Sequence, residues 1–336
     1  MDLFGDLPPP SENNFSDDRN GTYQNQASSL LQLGIKRPLH SETVTHNKIQ
    51  KTKGDILHLK PFVAERQGER NEMQDTTSLF ENCTSDYQYN QCGLIINRVS
   101  FFAVFDGHGG KNASQFAQEN LHVNINKNFP KEAVLNFDNE LKKSIIKAFK
   151  DTDEAFLLRA SLENPPLKDG ATAACVLVVN NTIYVANIGD SKTILVRTNE
   201  EGKSTILPLS KDHSPLNYEE RQRIQNAGGF VKDGRVQGIV EVSRAFGDLR
   251  FKKYIISKPD IVKSTLTERD RYILIACDGL WKGLTVAEAV DFIEKILMEN
   301  EYNDDGFFKA CNEVANEAIR RGSSDNITVV IIRIYS

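Results

Sequence analysis

Phe102-Ala-Val-Phe-Asp-Gly-His-Gly-Gly110 reads as a buried strand that runs out onto a carboxylate. The apolar run from Val99 to Phe105 is short, aromatic and β-branched, which suits a strand with little exposed face. Asp106-Gly107 follows it, and a glycine there lets the backbone turn sharply while the carboxylate is held. A second run, Tyr272-Ile-Leu-Ile-Ala-Cys277, ends the same way in Asp278-Gly279. Either pair alone is an ordinary Asp-Gly turn. Two more acidic elements change the balance: Ser324-Asp325-Asn326 before a final apolar run, and Gly189-Asp190-Ser191 between two others. Carboxylates converging from separate strands repel one another unless a cation neutralises them. Hard divalent ions such as Mg²⁺ and Mn²⁺ take oxygen ligands of this kind.

Working outward, further strand-like runs lie at Ala173 to Val179, Thr182 to Ala186, Thr193 to Val196 and Ile327 to Ile334. Asn180-Asn181 between two of them reads as a hairpin turn. Leu141, Ile145, Ala148, Phe149 and Phe156 follow the three-four spacing of a helix face. Thr285-Val-Ala-Glu288 is a capping box ahead of Val290, Ile293 and Leu297. Phe308, Cys311, Val314, Ala315, Ala318 and Ile319 form another stripe, with Gly322 as its stop. Long helix pairs and strands with hairpin-length links predict an antiparallel α/β architecture rather than a βαβ repeat. Residues 1–54 are rich in Asn, Ser, Gln, Asp, Pro and Gly without periodicity, and are expected to form a disordered polar tail. Its Lys36-Arg37 and Lys48, Lys51 and Lys53 read as a solvated linker, with nuclear import as the functional alternative.

The 336 residues suffice for a large core, and 39% hydrophobic with 26% charged residues is the composition of a soluble globular chain. A formal charge of −5 gives no general reason to expect nucleic-acid binding. Five widely spaced cysteines contain no CxxC pair, which argues against zinc or thiol-redox chemistry. The N-terminus lacks a secretory leader, and no apolar stretch approaches a membrane span. An intracellular chain, cytoplasmic or nuclear, is expected, without a membrane or nucleic-acid partner, and monomer is the default. The sequon at Asn326 is then a chance match.

Glu69-Arg-Asn-Glu-Met-Gln-Asp75, Asp169-Gly-Ala-Thr-Ala173, Val242-Ser-Arg-Ala-Phe-Gly-Asp248 and Gly322-Ser-Ser-Asp-Asn326 join the stretches around Asp106, Asp190 and Asp278 in a fixed order. Together these seven resemble the motifs of the type 2C (PPM) metal-dependent serine/threonine protein phosphatases, over roughly residues 58 to 335. The resemblance implies a central β-sandwich of two antiparallel sheets flanked by pairs of helices, with residues 55–336 as the catalytic domain. It implies that Asp106 bridges two Mg²⁺ or Mn²⁺ ions, with the Gly107 carbonyl, Asp278 and Asp325 as further ligands and Gln74 reaching one ion through water. Arg70 matches the phosphate-binding arginine, and His108 the general acid for the leaving oxygen; Asp75 and Asp190 are left without a settled role. Phosphorylated proteins are the implied partners, integrin-linked kinase pathway components among them, in intracellular signalling.

The chain departs from the pattern at three positions. Gln74 replaces a common glutamate, which removes a negative charge and weakens the second ion's site. Lys282 stands where an aspartate often helps hold a third ion, so a third metal is not expected. Lys192 replaces a usual arginine. Cys92 and Arg98 have the spacing of a thiol phosphatase loop, but Gly-Leu-Ile-Ile-Asn between them does not make a phosphate cradle. Gly107 to Lys111 fails as a P-loop because Asn112 follows the lysine. A pseudophosphatase that binds without turnover is the non-enzymatic alternative, supported by Gln74.

Overall fold

The structure, a computed structural model, describes residues 56–87, 95–131 and 135–336. The expected tail, its basic residues and Cys92 lie outside the described residues.

The chain begins with β1 (His58–Arg66), β2 (Thr76–Phe80), β3 (Val99–Phe105) and a short β4 (Gly107–His108). Helices α1 (Asn112–Asn128) and α2 (Phe137–Leu162) follow as an adjacent pair. Then come β5 (Gly170–Ala171), β6 (Ala173–Val179), β7 (Thr182–Ile188), β8 (Lys192–Thr198) and β9 (Ser204–Pro208). A less regular stretch holds α3 (Tyr218–Asn226), β10 (Val231–Lys232), β11 (Arg235–Val236) and β12 (Phe246–Gly247). The last part is β13 (Asp260–Thr265), β14 (Asp270–Ala276), α4 (Asp278–Gly283), α5 (Val286–Glu299), α6 (Asp304–Arg320) and β15 (Ile327–Tyr335).

Two five-stranded antiparallel sheets, ordered β1-β15-β14-β8-β9 and β13-β7-β6-β3-β2, form the sandwich that was expected. Side-chain alternation explains why their strands read as continuous apolar runs. Phe102 and Val104 of β3 face the opposite sheet and pack with Ile275 and Val330 of β14 and β15, whereas Phe101, Ala103 and Phe105 face outward. That outward face is covered by Leu121 and Ile125 of α1 and Leu141, Ile145 and Phe149 of α2. The other sheet's outer face is covered in the same way by α5 and α6, through Ile293, Leu297, Val314 and Ala318. Each central strand is therefore buried on both faces. The capping box at Thr285 and Glu288 is formed, and Asn180 takes the left-handed turn conformation at φ 55°.

Two local expectations need correction. In α6 the buried aromatic is Phe307, which lies four residues before Cys311, while Phe308 and Ile319 are exposed on the flank of the stripe. Gly107 and Gly279 are not required by a sharp left-handed turn, since neither takes a positive φ. They are required by close approach: a Cβ on Gly107 would stand 2.5 Å from the Gln74 carbonyl oxygen, and one on Gly279 1.9 Å from that of Asn326. Asp278-Gly279 opens a helix, α4, rather than a turn.

Candidate metal and phosphate site

Strand ends from both sheets meet at one edge of the sandwich. Asp106 follows β3, Asp278 starts α4 one residue beyond Cys277, Asp325 precedes β15, Asp190 joins β7 to β8 and Asp75 precedes β2. A cavity of about 530 Å³ opens there, lined by these aspartates other than Asp75 and by Arg70, Gln74, Gly107, His108 and Lys282.

Carboxylate oxygens of Asp106, Asp190 and Asp278 lie within 4.8 Å of one another, and Asp75, Asp106 and the Cys277 sulfur make a second such group. Asp190, unsettled in the sequence, is thus brought into one cluster with Asp106 and Asp278. Burial, then the charges of Asp75, Asp278, Asp190 and Asp325, push Asp106 well above the usual carboxylate range. Burial raises Asp75 to about 6, against hydrogen bonds from Thr328 and Cys277. Burial and Asp278 raise Asp190 to about 7. Asp75 Oδ1 is buried without a hydrogen-bond partner among the described residues. The donor set is hard carboxylate oxygen with excess negative charge, which suits Mg²⁺ or Mn²⁺. Cys277 adds no soft ligand: burial, then Asp75 and Asp106, hold its thiol protonated, and its sulfur accepts the Thr328 N–H at 3.1 Å.

Asp325 stands at the rim and is held differently. Its Oδ2 accepts from Arg70 Nη2 at 2.9 Å and from Lys282 Nζ at 2.5 Å, and Oδ1 accepts its neighbour's N–H at 2.8 Å. Although burial opposes it, Lys282 and Arg70 keep this carboxylate below its ordinary value. Arg70 is more than half exposed and lines the cavity. Gln74 donates from its amide nitrogen to Glu72 at 2.8 Å, and its carbonyl oxygen is the atom left over.

His108 Nε2 lies 2.9 Å from Oδ2 of Asp248, a buried residue that the sequence reading had only as the end of a motif. Burial opposes protonation of His108, but Asp248, with Asp190 and Asp169 beyond it, outweighs burial and raises it above its ordinary value. His213 was missed altogether. Its Nδ1 accepts the Gly189 N–H at 3.1 Å and its own N–H donates to the Gly189 carbonyl at 2.8 Å, clamping the turn that carries Asp190.

A sandwich flanked by helix pairs, with acidic strand ends, an arginine and a histidine at one edge, defines a metal-dependent phosphatase of the protein phosphatase 2C type. Residues 61–327 match the family described as protein phosphatase 2C, and the chain belongs to it. Over an alignment of 351 residues it is 45% identical to integrin-linked kinase-associated serine/threonine phosphatase 2C of Bos taurus, covering 99% of this chain and 93% of that one. Identity to the Homo sapiens protein of the same description is 48% over 304 residues, covering 88% and 77%. Among solved structures, a serine-threonine phosphatase 2C from Toxoplasma gondii matches with TM-score 0.68, covering 84% of this chain and 96% of that one; at 20% identity it supports the fold alone. A C. elegans sex determining protein matches with TM-score 0.66 at 26% identity, covering 84% and 65%. The protein is a metal-dependent serine/threonine protein phosphatase, and phosphoproteins are its substrates. Among the described residues no helix is long and apolar enough to cross a membrane.

Proposed function

We propose that Asp106, Asp278 and Asp325, with the Gly107 carbonyl, hold two Mg²⁺ or Mn²⁺ ions, and that Gln74 assists through a water. The observation that carries this reading is the convergence of Asp106, Asp190 and Asp278 within 4.8 Å, with no cation among the described residues set against Asp106. When bound, such ions lower the pKa of a water and offset the charge of the phosphoryl group. Arg70 releases Asp325 and grips two phosphate oxygens, for which its planar fork is suited. The water oxygen then bonds to phosphorus as the bond to the serine or threonine oxygen breaks, and His108 supplies the proton that oxygen needs. Asp190 adds its carboxylate to the cluster with Asp106 and Asp278, and Asp75, held by Thr328, stands beside Asp106. Lys282 opposes a third ion.

Turnover of a phosphothreonine peptide, titrated with Mn²⁺ and Mg²⁺ in the wild type and in Asp278→Asn, tests this assignment. Metal-dependent activity that disappears in the variant is expected. A folded, metal-binding wild type without turnover would return the chain to the pseudophosphatase alternative.

The four cysteines of the described residues are buried free thiols, which suits a reducing cytoplasm or nucleus. The names of the mammalian relatives support phosphoproteins around integrin-linked kinase as substrates, and we take the enzyme to act in signalling with the monomer as default.

A further inference from the structure

Asp248 closes the Val242–Asp248 stretch, and the chemistry above leaves it unused. Its side chain is 3% exposed, and it is built in from several sides. Its N–H donates to the Asp169 carbonyl at 2.9 Å, and its own backbone sits in the left-handed region at φ 51°, a costly conformation for a non-glycine residue. Gly247 before it, at φ 73°, donates its N–H to Asp153 Oδ1 of α2 at 2.9 Å. Asp153 is buried and paired with Lys252 at 2.9 Å, and Lys252 also donates to the Ala245 carbonyl at 3.0 Å. Gly170 leaves the room the pair needs, because a Cβ there would stand 2.3 Å from His108 Nε2 and 2.4 Å from Asp248 Oδ2. The three-stranded sheet β12-β5-β4 carries His108 directly and Gly247, the residue before Asp248.

A carboxylate only accepts, so the 2.9 Å contact places a proton on His108 Nε2. Nδ1 is then the ring nitrogen without a hydrogen-bond partner among the described residues. We propose that Asp248 is a positioning residue for His108, fixing the ring and making Nδ1 the atom that delivers the proton to the leaving serine or threonine oxygen. This rests on the phosphatase reading above. As the phosphorus–oxygen bond breaks, its electron pair takes the Nδ1 proton and leaves a neutral imidazole still bonded to Asp248. The attacking water gives its hydroxyl to phosphorus and its proton, through solvent, back to His108.

The test compares two substrates in the full chain with Mn²⁺: a phosphothreonine peptide, whose alkoxide leaves only with a proton, and p-nitrophenyl phosphate, whose phenolate leaves without one. In Asp248→Asn the ratio of kcat on the peptide to kcat on the aryl ester is expected to fall by about tenfold or more, as in His108→Gln. The double variant should fall no further than His108→Gln alone, because the two act as one unit. Asn tolerates the left-handed backbone, and Lys252→Met, which loosens the anchor without touching Asp248, should shift the ratio the same way. Nitrogen-15 histidine spectra of the metal-free protein should show the neutral His108 ring as the Nε2–H tautomer in the wild type and lose that preference in Asp248→Ala. An active wild type with an unchanged ratio in Asp248→Asn overturns the Asp248 assignment alone. A wild type inert toward both substrates overturns the phosphatase reading and this one with it.

Discussion

Lys282 Nζ lies 2.5 Å from Asp278 Oδ2, one turn back along the same helix, and the same ammonium reaches Asp325 Oδ2 at 2.5 Å. A tethered cation therefore sits between two carboxylates that are candidate metal ligands. Burial works against its charge, but both carboxylates hold it well above the ordinary lysine range. A divalent ion must share those oxygens with the ammonium or displace it. Lys282→Met should therefore tighten Mn²⁺ binding by about tenfold, or ~1.4 kcal/mol, in calorimetry. The same variant should melt lower than the wild type in chelator, because both carboxylates lose their counter-charge. Unchanged affinity together with unchanged melting would remove Lys282 from the metal site.

Asp106 presents the opposite case, a carboxylate facing the cavity with four acidic neighbours and, among the described residues, no cation against it. Asp106→Asn keeps the shape and removes the repulsion. In chelator the variant should melt above the wild type, whereas added Mn²⁺ should no longer raise its melting point. Metal affinity and phosphopeptide turnover should each fall by more than about a hundredfold. If chelated Asp106→Asn melts below the wild type, the repulsion is not what limits the metal-free fold.

Glu220 on α3 gives a pH signature away from the metal. It is buried, yet Oε1 accepts from Arg244 Nη2 at 2.5 Å and Oε2 accepts from Arg223 at 2.8 Å and Ser243 at 2.7 Å. Burial favours the neutral acid, but these donors outweigh it and press Glu220 down to about 2 from its ordinary 4.5. The folded state thus binds this proton more weakly than the unfolded chain. Its stabilisation is complete above pH 4.5 and is lost as pH falls toward 2. Relative to Glu220→Gln, the wild type should lose about 3 kcal/mol across that window in acid-dependent denaturant melts. A constant difference between the two would mean that Glu220 is not the group titrating.

The sandwich was legible because its central strands are buried on both faces and so appear as unbroken apolar runs such as Val99–Phe105. The acidic cluster was legible because each carboxylate sits at the end of such a run, where Asp106, Asp278 and Asp325 stand out against the apolar residues beside them. The partners of the site were not. His108 and Asp248 lie 140 positions apart and meet where one strand of two residues carries His108 and another ends just before Asp248, both too short to leave a periodic pattern. His213 holds Gly189 through one ring nitrogen and one amide, a contact with no compositional trace. The glycines were seen but misread, since spacing along the chain does not reveal which carbonyl will approach from a distant strand.

Gly279 makes that last point testable. An added Cβ would stand 1.9 Å from the Asn326 carbonyl oxygen and 3.0 Å from its carbon, both backbone atoms. Asn326 cannot retreat easily: its side-chain nitrogen donates to the Gln67 carbonyl at 2.8 Å and to that of Glu72 at 3.1 Å, while its oxygen accepts the Gln74 N–H at 2.8 Å. Gly279→Ala must then push apart the segments carrying Asp278 and Asp325. The expected cost is about 1–3 kcal/mol, as for overpacking elsewhere, with weakened Mn²⁺ binding. Gly202 supplies the contrast, with φ 78° and nothing within 4 Å of its added Cβ. Gly202→Ala bears only backbone strain, about 1 kcal/mol, and should leave Mn²⁺ affinity intact. Should Gly279→Ala lower the melting temperature no more than Gly202→Ala and bind Mn²⁺ normally, close approach is not the reason for the glycine at the head of α4.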